Sequence, residues 1–162
     1  MYLERERKRF CGEGRMWNPK YLFLRYLRQY EYYKNCKHGI LYIIPRIFCF
    51  LMFKRLSYLL GFTVHENCFG PGLCIPHYGC IIVNKRAMIG ENCTIHCCVN
   101  IGEEKGGVPV IGDNVYIGPG AKIFGGIIIG NNVTIGANAV VNKSFPDNCV
   151  IAGVPAKIIR YK

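Results

Sequence analysis

From residue 69 onward, apolar residues recur at every sixth position. Phe69, Ile75 and Ile81 make a first set, Ile89, Ile95 and Ile101 a second, Ile111, Ile117 and Ile123 a third, and Ile129, Ile135 and Val141 a fourth. Glycine follows seven of these twelve residues, at Gly70, Gly90, Gly102, Gly112, Gly118, Gly130 and Gly136. The fifth position of the repeat is small or β-branched, as in Cys93, Val99, Val115, Ala121, Val133 and Ala139. A period of six matches neither the helical repeat of about 3.6 nor the strand repeat of about 2. It fits short strands joined by corners, with the aliphatic residue pointing inward and glycine admitting the close turn. Three hexapeptides make one triangular coil, so the pattern predicts about four stacked coils of a parallel β-helix, spaced by about 4.8 Å. Two insertions interrupt it, of two residues between Ile81 and Ile89 and of four between Ile101 and Ile111. The second, around Glu103–Pro109, is rich in glycine and charge and should bulge from a corner as a loop.

A different pattern precedes the repeat. Phe23, Tyr26, Leu27, Tyr30 and Tyr33 fall three and four apart, the signature of an amphipathic helix opened by Pro19. A second apolar stretch runs from Ile40 to Leu60 and ends at Gly61. Pro45, Arg46, Lys54 and Arg55 break it into runs far shorter than the roughly 20 residues that span a bilayer. The helices are expected to pack against the following domain or a neighbouring subunit, with peripheral membrane contact as the alternative. The chain thus divides into 1–17, mixed in charge and expected to be disordered or extended, an α-helical segment over 18–61, and a β-helix domain with a C-terminal tail over 62–162.

Composition adds two constraints. Lysine and arginine number 21 against 10 acids, a net charge of +11, which calls for an anionic partner or a basic surface. No zinc-finger or RNA-binding signature accompanies the charge, so nucleic acid is not expected. Ten cysteines occur, and no secretory leader is expected, since residues 4–9 are charged where an apolar stretch would be needed. The expectation is a cytoplasmic protein with reduced thiols and no metal, because Cys93, Cys97 and Cys98 lack a second clustered pair.

Of four histidines, His77 and His96 carry the chemistry best. His77 is the third residue of its hexapeptide and His96 the second of the hexapeptide stacked beneath, which brings their Cα atoms within about 6 Å on one edge. An imidazole with a pKa near 6.5 suits abstraction of a hydroxyl proton at neutral pH, and a backbone N–H at a glycine corner could hold the oxyanion of an acyl transfer.

Three stretches of the chain carry a resemblance. Gly72-Leu73-Cys74-Ile75-Pro76-His77-Tyr78-Gly79-Cys80-Ile81-Ile82-Val83, Ile89-Gly90-Glu91-Asn92 and Ile111-Gly112-Asp113-Asn114-Val115-Tyr116-Ile117-Gly118-Pro119-Gly120-Ala121-Lys122, closed by Ala152-Gly153-Val154-Pro155-Ala156-Lys157, resemble the serine acetyltransferase branch of the hexapeptide acyltransferases. The resemblance runs from Gly61 to Lys157, about 60% of the chain. It implies a left-handed parallel β-helix and acetyl-CoA as co-substrate. A homotrimer is expected because three-fold closure suits a triangular prism with open faces. By the same resemblance His77 matches the catalytic base, with His96 placed beside it by the stacking. Gly118, Pro119, Gly136 and Ala137 are corner positions flanking the pantetheine arm, and Lys143, Lys157 and Arg160 are partners for the CoA phosphates. The departures concern the acceptor. Pro76 stands where the family has an aspartate before its histidine, Thr63 where it has the orienting aspartate, and Val108 where it has a second histidine. His96, Glu91 and Glu103 are the candidates to replace them.

The expected function is transfer of an acetyl group to an acceptor hydroxyl, of L-serine or of a sugar in surface-polysaccharide assembly. A zinc carbonic anhydrase on this fold needs a histidine pair spaced H-x₄-H, which is missing, and a silent trimeric scaffold needs no histidine at the catalytic corner.

Overall fold

The structure, a computed structural model, describes residues 2–10 and 17–162. Three helices lead into a parallel β-helix. The first, α1 (Tyr2–Arg9), is short and highly charged. Asn18 caps α2 (Pro19–Asn35) by accepting from the Lys20 backbone N–H at 3.0 Å, with Pro19 at the first helical position. A single 3-10 turn (Ile40–Tyr42) precedes α3 (Ile43–Leu60), which Gly61 ends in the left-handed conformation (φ 73°).

Each coil then contributes one strand to each of three sheets. The first sheet stacks β1 (Phe62–Thr63), β2 (Ile81–Val83), β5 (Val99–Gly102), β8 (Lys122–Phe124) and β11 (Val140–Val141). The second stacks β3 (Met88–Ile89), β6 (Val110–Ile111) and β9 (Ile128–Ile129), extended above and below by bridges from Phe69 and Phe145. The third stacks β4 (Thr94–Ile95), β7 (Tyr116–Ile117), β10 (Thr134–Ile135) and β12 (Cys149–Gly153), with Cys74 bridged above β4. Below β12, β13 (Ala156–Tyr161) folds back antiparallel and covers the last coil. The pairings between the other strands are parallel and in register, Ile81 on Val99 and Ile101 on Ile123, Ile95 on Ile117, Ile117 on Ile135, Ile111 on Ile129. The architecture is the left-handed β-helix that the resemblance implied.

Each sheet therefore has five levels, where the six-residue period predicts about four coils. The additional positions are Phe62 above, and Phe145 and Ile151 below. Phe62 lies seven residues before Phe69 and Phe145 only four after Val141, so both fall outside a strict period although both are buried. The interior is a set of apolar columns in which Ile81, Ile95, Ile101, Ile117, Ile123, Ile129 and Ile135 have no solvent contact to speak of. Each such side chain is worth about 1.5–3 kcal/mol relative to exposure.

One corner column is bound by side chains as well. Asn92, Asn114, Asn132 and Asn148 all adopt positive φ (56° to 58°), which asparagine tolerates better than most residues. The Asn92 amide donates to Asn114 Oδ1 at 3.1 Å and Asn132 to Asn148 Oδ1 at 2.9 Å. Beside them the Glu91 N–H donates to Asp113 Oδ1, the Asp113 N–H to Asn131 Oδ1 and the Asn131 N–H to Asp147 Oδ1, each at 2.7 Å. This asparagine corner joins the second sheet to the third.

Residues 2–9 are helical, against the disordered or extended N-terminus expected from their mixed charge. The cause is tertiary. Arg28 of α2 is buried and donates from Nε to Glu6 Oε1 at 2.7 Å, from Nη1 to Glu31 Oε2 at 2.8 Å and to the Phe69 carbonyl at 2.9 Å, and from Nη2 to the Gly70 carbonyl at 2.6 Å. Glu6, itself buried, also accepts from the Gly72 N–H at 3.3 Å. One guanidinium thus ties α1 and α2 to the first coil. Among the described helices none is long and apolar enough to cross a membrane. α2 and α3 pack on each other and on the first coil through Phe23, Leu24, Leu27, Phe53 and Leu56, while Leu41, Ile44, Phe48, Leu51 and Leu59 on the far side of α3 and the turn before it are exposed.

The tightness of the stack gives a graded test. A Cβ on Gly90 would lie 2.7 Å and 2.8 Å from the Gly112 carbonyl carbon and oxygen, whereas one on Gly102 would meet nothing closer than 3.5 Å. Gly90→Ala should lower stability by about 1–3 kcal/mol and Gly102→Ala should leave it nearly unchanged, as read from denaturant midpoints.

Candidate active site

The corner that joins the third sheet to the first carries His77. Because Cys74 pairs with Thr94 and Ile95 with Ile117, the coil order from top to bottom on this corner is Pro76-His77, His96-Cys97, Gly118-Pro119 and Gly136-Ala137, with Ala152 at the foot. The His77 and His96 rings are 5.5 Å apart between centroids and tilted by 40°, as the stacking of their hexapeptides predicts. His96 also lies 5.0 Å from the Tyr116 ring. His77 and Tyr78 are exposed, and His96 is half-buried. Burial, and then the proximity of His77, push the His96 pKa below its usual value, so at neutral pH it is an uncharged imidazole able to accept a proton.

The column of predicted cofactor residues is continuous with the histidines. Gly118 stacks on Gly136 and Gly136 on Ala152, so closely that a Cβ on Gly118 would come within 2.8 Å of the Ala137 nitrogen. Pro119 and Ala137 are exposed at these two corners. Lys157 pairs with Ala152 across the final hairpin and Arg160 with Val150, which sets both at the lower end. Lys143 leaves instead from the corner between the first and second sheets, its ammonium 5.6 Å from the Phe145 ring.

Several expectations about the site change. The N–H groups of Gly118, Gly120 and Gly136 donate to Ile135, Cys97 and Ile151 carbonyls of the ladder, so these glycines are not the oxyanion donors. Glu91 sits at the asparagine corner and accepts from Arg5, and Glu103 pairs with Arg86 at 3.2 Å in the loop between the first and second sheets. Neither orients His77. The 103–109 loop makes a small antiparallel bridge, Glu104 to Gly107, on that same corner.

A residue without a sequence signal stands beside the pair. Lys20, in the first turn of α2, is buried; its ammonium donates to the Pro76 carbonyl and lies 4.9 Å from the Tyr78 ring centroid. It therefore contacts the residues on both sides of His77. Separation of 56 residues and a helix-surface position hid it. A cavity of about 890 Å³ lies elsewhere, between α1, α2 and the first coil, where it is lined by Arg28, Glu31, Asn67 and Phe69 and by neither histidine. It surrounds the structural ion cluster, and its size carries no argument for chemistry.

Residues 109–143 match the family described as bacterial transferase hexapeptide (six repeats). The chain is 36% identical over 122 residues to a serine acetyltransferase of Synechococcus elongatus, covering 72% of this chain and 48% of that protein. To a serine acetyltransferase of Staphylococcus epidermidis it is 36% identical over 141 residues, covering 83% and 62%. Among solved structures it superposes on serine acetyltransferase from Brucella abortus in complex with coenzyme A with a TM-score of 0.74 at 27% identity, covering 99% of this chain and 67% of that one. The serine acetyltransferase of Neisseria gonorrhoeae in complex with serine gives 0.74 at 29%, covering 96% and 67%. The chain spans about half to three-fifths of the length of the curated relatives it matches. Repeat and fold together define a hexapeptide-repeat protein. Within that class the chain is most similar, in the comparisons above, to serine acetyltransferases.

The electrostatics of the pair are open to measurement. The His96 imidazole should titrate below 6.5 by NMR, and His77→Gln should move it only part of the way back, because burial is the larger cause. Since the unfolded chain then binds more protons, the stability tied to His96 is present above about pH 6.5 and lost as pH falls through its folded pKa.

Proposed function

We propose that the chain is an acetyl-CoA-dependent O-acetyltransferase, with His77 as general base and His96 assisting it. The carrying observation is the 5.5 Å pair of imidazoles at the head of the same closely stacked glycine column to which the resemblance assigns the pantetheine arm. In this reading the arm runs along Gly118, Pro119, Gly136 and Ala137. Lys157 and Arg160 at the foot meet the CoA phosphates, with Lys143 reaching from the next corner. The acceptor hydroxyl gives its proton to the His77 imidazole as its oxygen bonds to the acetyl carbonyl carbon. Collapse of the tetrahedral adduct then breaks the carbon–sulfur bond, and the imidazolium returns the proton to the departing CoA sulfur. The acceptor is L-serine, as the relatives' names suggest, or a sugar, as the loss of the family's acceptor residues suggests.

The working form in this proposal is a homotrimer in the cytoplasm. On a single chain His77 and Tyr78 stand exposed at this edge, and a second copy set against it would enclose them. Met88 and Ile128, 59% and 62% exposed on the outward face of the second sheet, suit a closed ring of three such prisms. The described cysteines, all free, fit a reducing compartment. The exposed apolar side of α3, with no acid between Glu31 and Glu66, fits peripheral contact with an anionic membrane.

In a CoA-release assay His77→Ala should lower turnover by about 10²- to 10⁴-fold while the acetyl-CoA dissociation constant stays nearly unchanged. Undiminished turnover would move the base to another residue. Light scattering should give three times the 18.4 kDa chain mass, and Ile128→Asp should shift the protein toward monomer.

A further inference from the structure

The acids of this chain are distributed unevenly around the prism. Among the described residues every ion pair is made away from the His77 corner, by Arg28, Lys34, Arg5 and Arg86. Asp113 and Asp147 line the asparagine corner, where they accept backbone N–H bonds. The corner of His77 and His96 holds no described carboxylate. Two lysines hold it instead. Lys20 approaches from above, 5% exposed, with its ammonium on the Pro76 carbonyl and against the Tyr78 ring. Lys122 approaches from below and donates to the Cys98 carbonyl at 2.6 Å. Both bonds end on neutral oxygens, so two positive charges stand at this edge against no described negative one.

Resting on the acyltransfer reading above, we propose that this edge takes an acidic sugar as acceptor, its carboxylate or phosphate facing Lys20 while its hydroxyl faces His77. An α-amino acid, net neutral, would bring beside its own carboxylate an ammonium group to an edge that already holds cations and, among the described residues, has no carboxylate to receive it; like charges repel and the partner is missing. An anionic acceptor reverses both terms through a charge-assisted hydrogen bond to a largely desolvated lysine. Tyr78, 53% exposed over Lys20, and Tyr116, 39% exposed beside His96, supply two aromatic faces on which the apolar C–H side of a pyranose can rest. Lys20 would thus be a specificity residue at the position where Pro76 has displaced the family's carboxylate, with the sign of the charge inverted.

The test uses the full chain and matched probes: D-glucose, D-glucuronate, glucose 6-phosphate and L-serine. Binding is read first, from the His77 and His96 imidazole NMR signals, which needs no turnover. Glucuronate or glucose 6-phosphate should perturb them at concentrations about ten- to hundredfold below glucose, and L-serine least. The two acids separate a carboxylate from a phosphate requirement. Added salt should erase much of the difference. In Lys20→Gln the acid-to-neutral ratio should narrow by the same ten- to hundredfold, and Lys20→Arg should restore most of it. Equal response to glucose and to both acids, or a stronger response to L-serine, overturns the proposal, as does an unchanged ratio in a folded Lys20→Gln protein. If the acids bind selectively but no CoA is released from acetyl-CoA with any probe, the acidic site stands and the acyltransfer reading falls.

Discussion

In-register stacking of parallel strands is the constraint on which everything else in this molecule rests. Each coil supplies the hydrogen-bond partners of the coil above, Ile95 to Cys74, His96 to Ile117, Gly136 to Ile151, so the rise between equivalent residues is fixed by backbone geometry. That single spacing aligns the interior isoleucines in columns, aligns the asparagines of one corner so that their amides bond in turn, and sets His77 over the coil that carries His96. The histidine edge costs the fold nothing extra, because two imidazoles one coil apart come together by the same register that closes the core. Glycine at the corner is what allows the coils to approach so nearly, and the same closeness consumes its N–H in the ladder.

This explains what could be read from the chain and what could not. The isoleucine–glycine period is a backbone requirement repeated at every level, so coils and corners were legible, and with them the His77–His96 pair. The coils at either end were not, because Phe62 and Phe145 fill the same columns from spacings of seven and four residues. α1 was missed for a different reason. Its sequence, Tyr2–Arg9, has the charge mixture of a solvated segment, and its order depends on Glu6 meeting a guanidinium 22 residues away. Lys20 was illegible on the same grounds. Its neighbour Pro19 announces a helix start, and nothing local says that the ammonium will meet the Pro76 carbonyl.

The two corners flanking the third sheet show how one scaffold can carry opposite electrostatics. The asparagine corner spends its side chains on itself, with Asp113, Asn131 and Asp147 each accepting the backbone N–H of another coil. The histidine corner makes no comparable side-chain ladder and leaves His77 and Tyr78 exposed, with Lys20 buried behind them. A hexapeptide repeat thus separates positions that maintain the stack from positions free to vary in chemistry; of the three departures the resemblance implies, Pro76 and Val108 fall in the second group and Thr63 lies in β1.

The Arg28 cluster has a consequence for how the chain is made. Its donors lie on α2, one acceptor on α1, and two more are the carbonyls of Phe69 and Gly70 in the first coil. A ribosome delivers Arg28 about forty residues before those carbonyls, and a buried guanidinium is costly until its partners arrive. The helical segment is therefore the first part synthesised and among the last completed, waiting on a floor that is built after it. The solenoid below can add coil upon coil from its own neighbours. In this protein the order of synthesis and the order of consolidation run in opposite directions at the N-terminus.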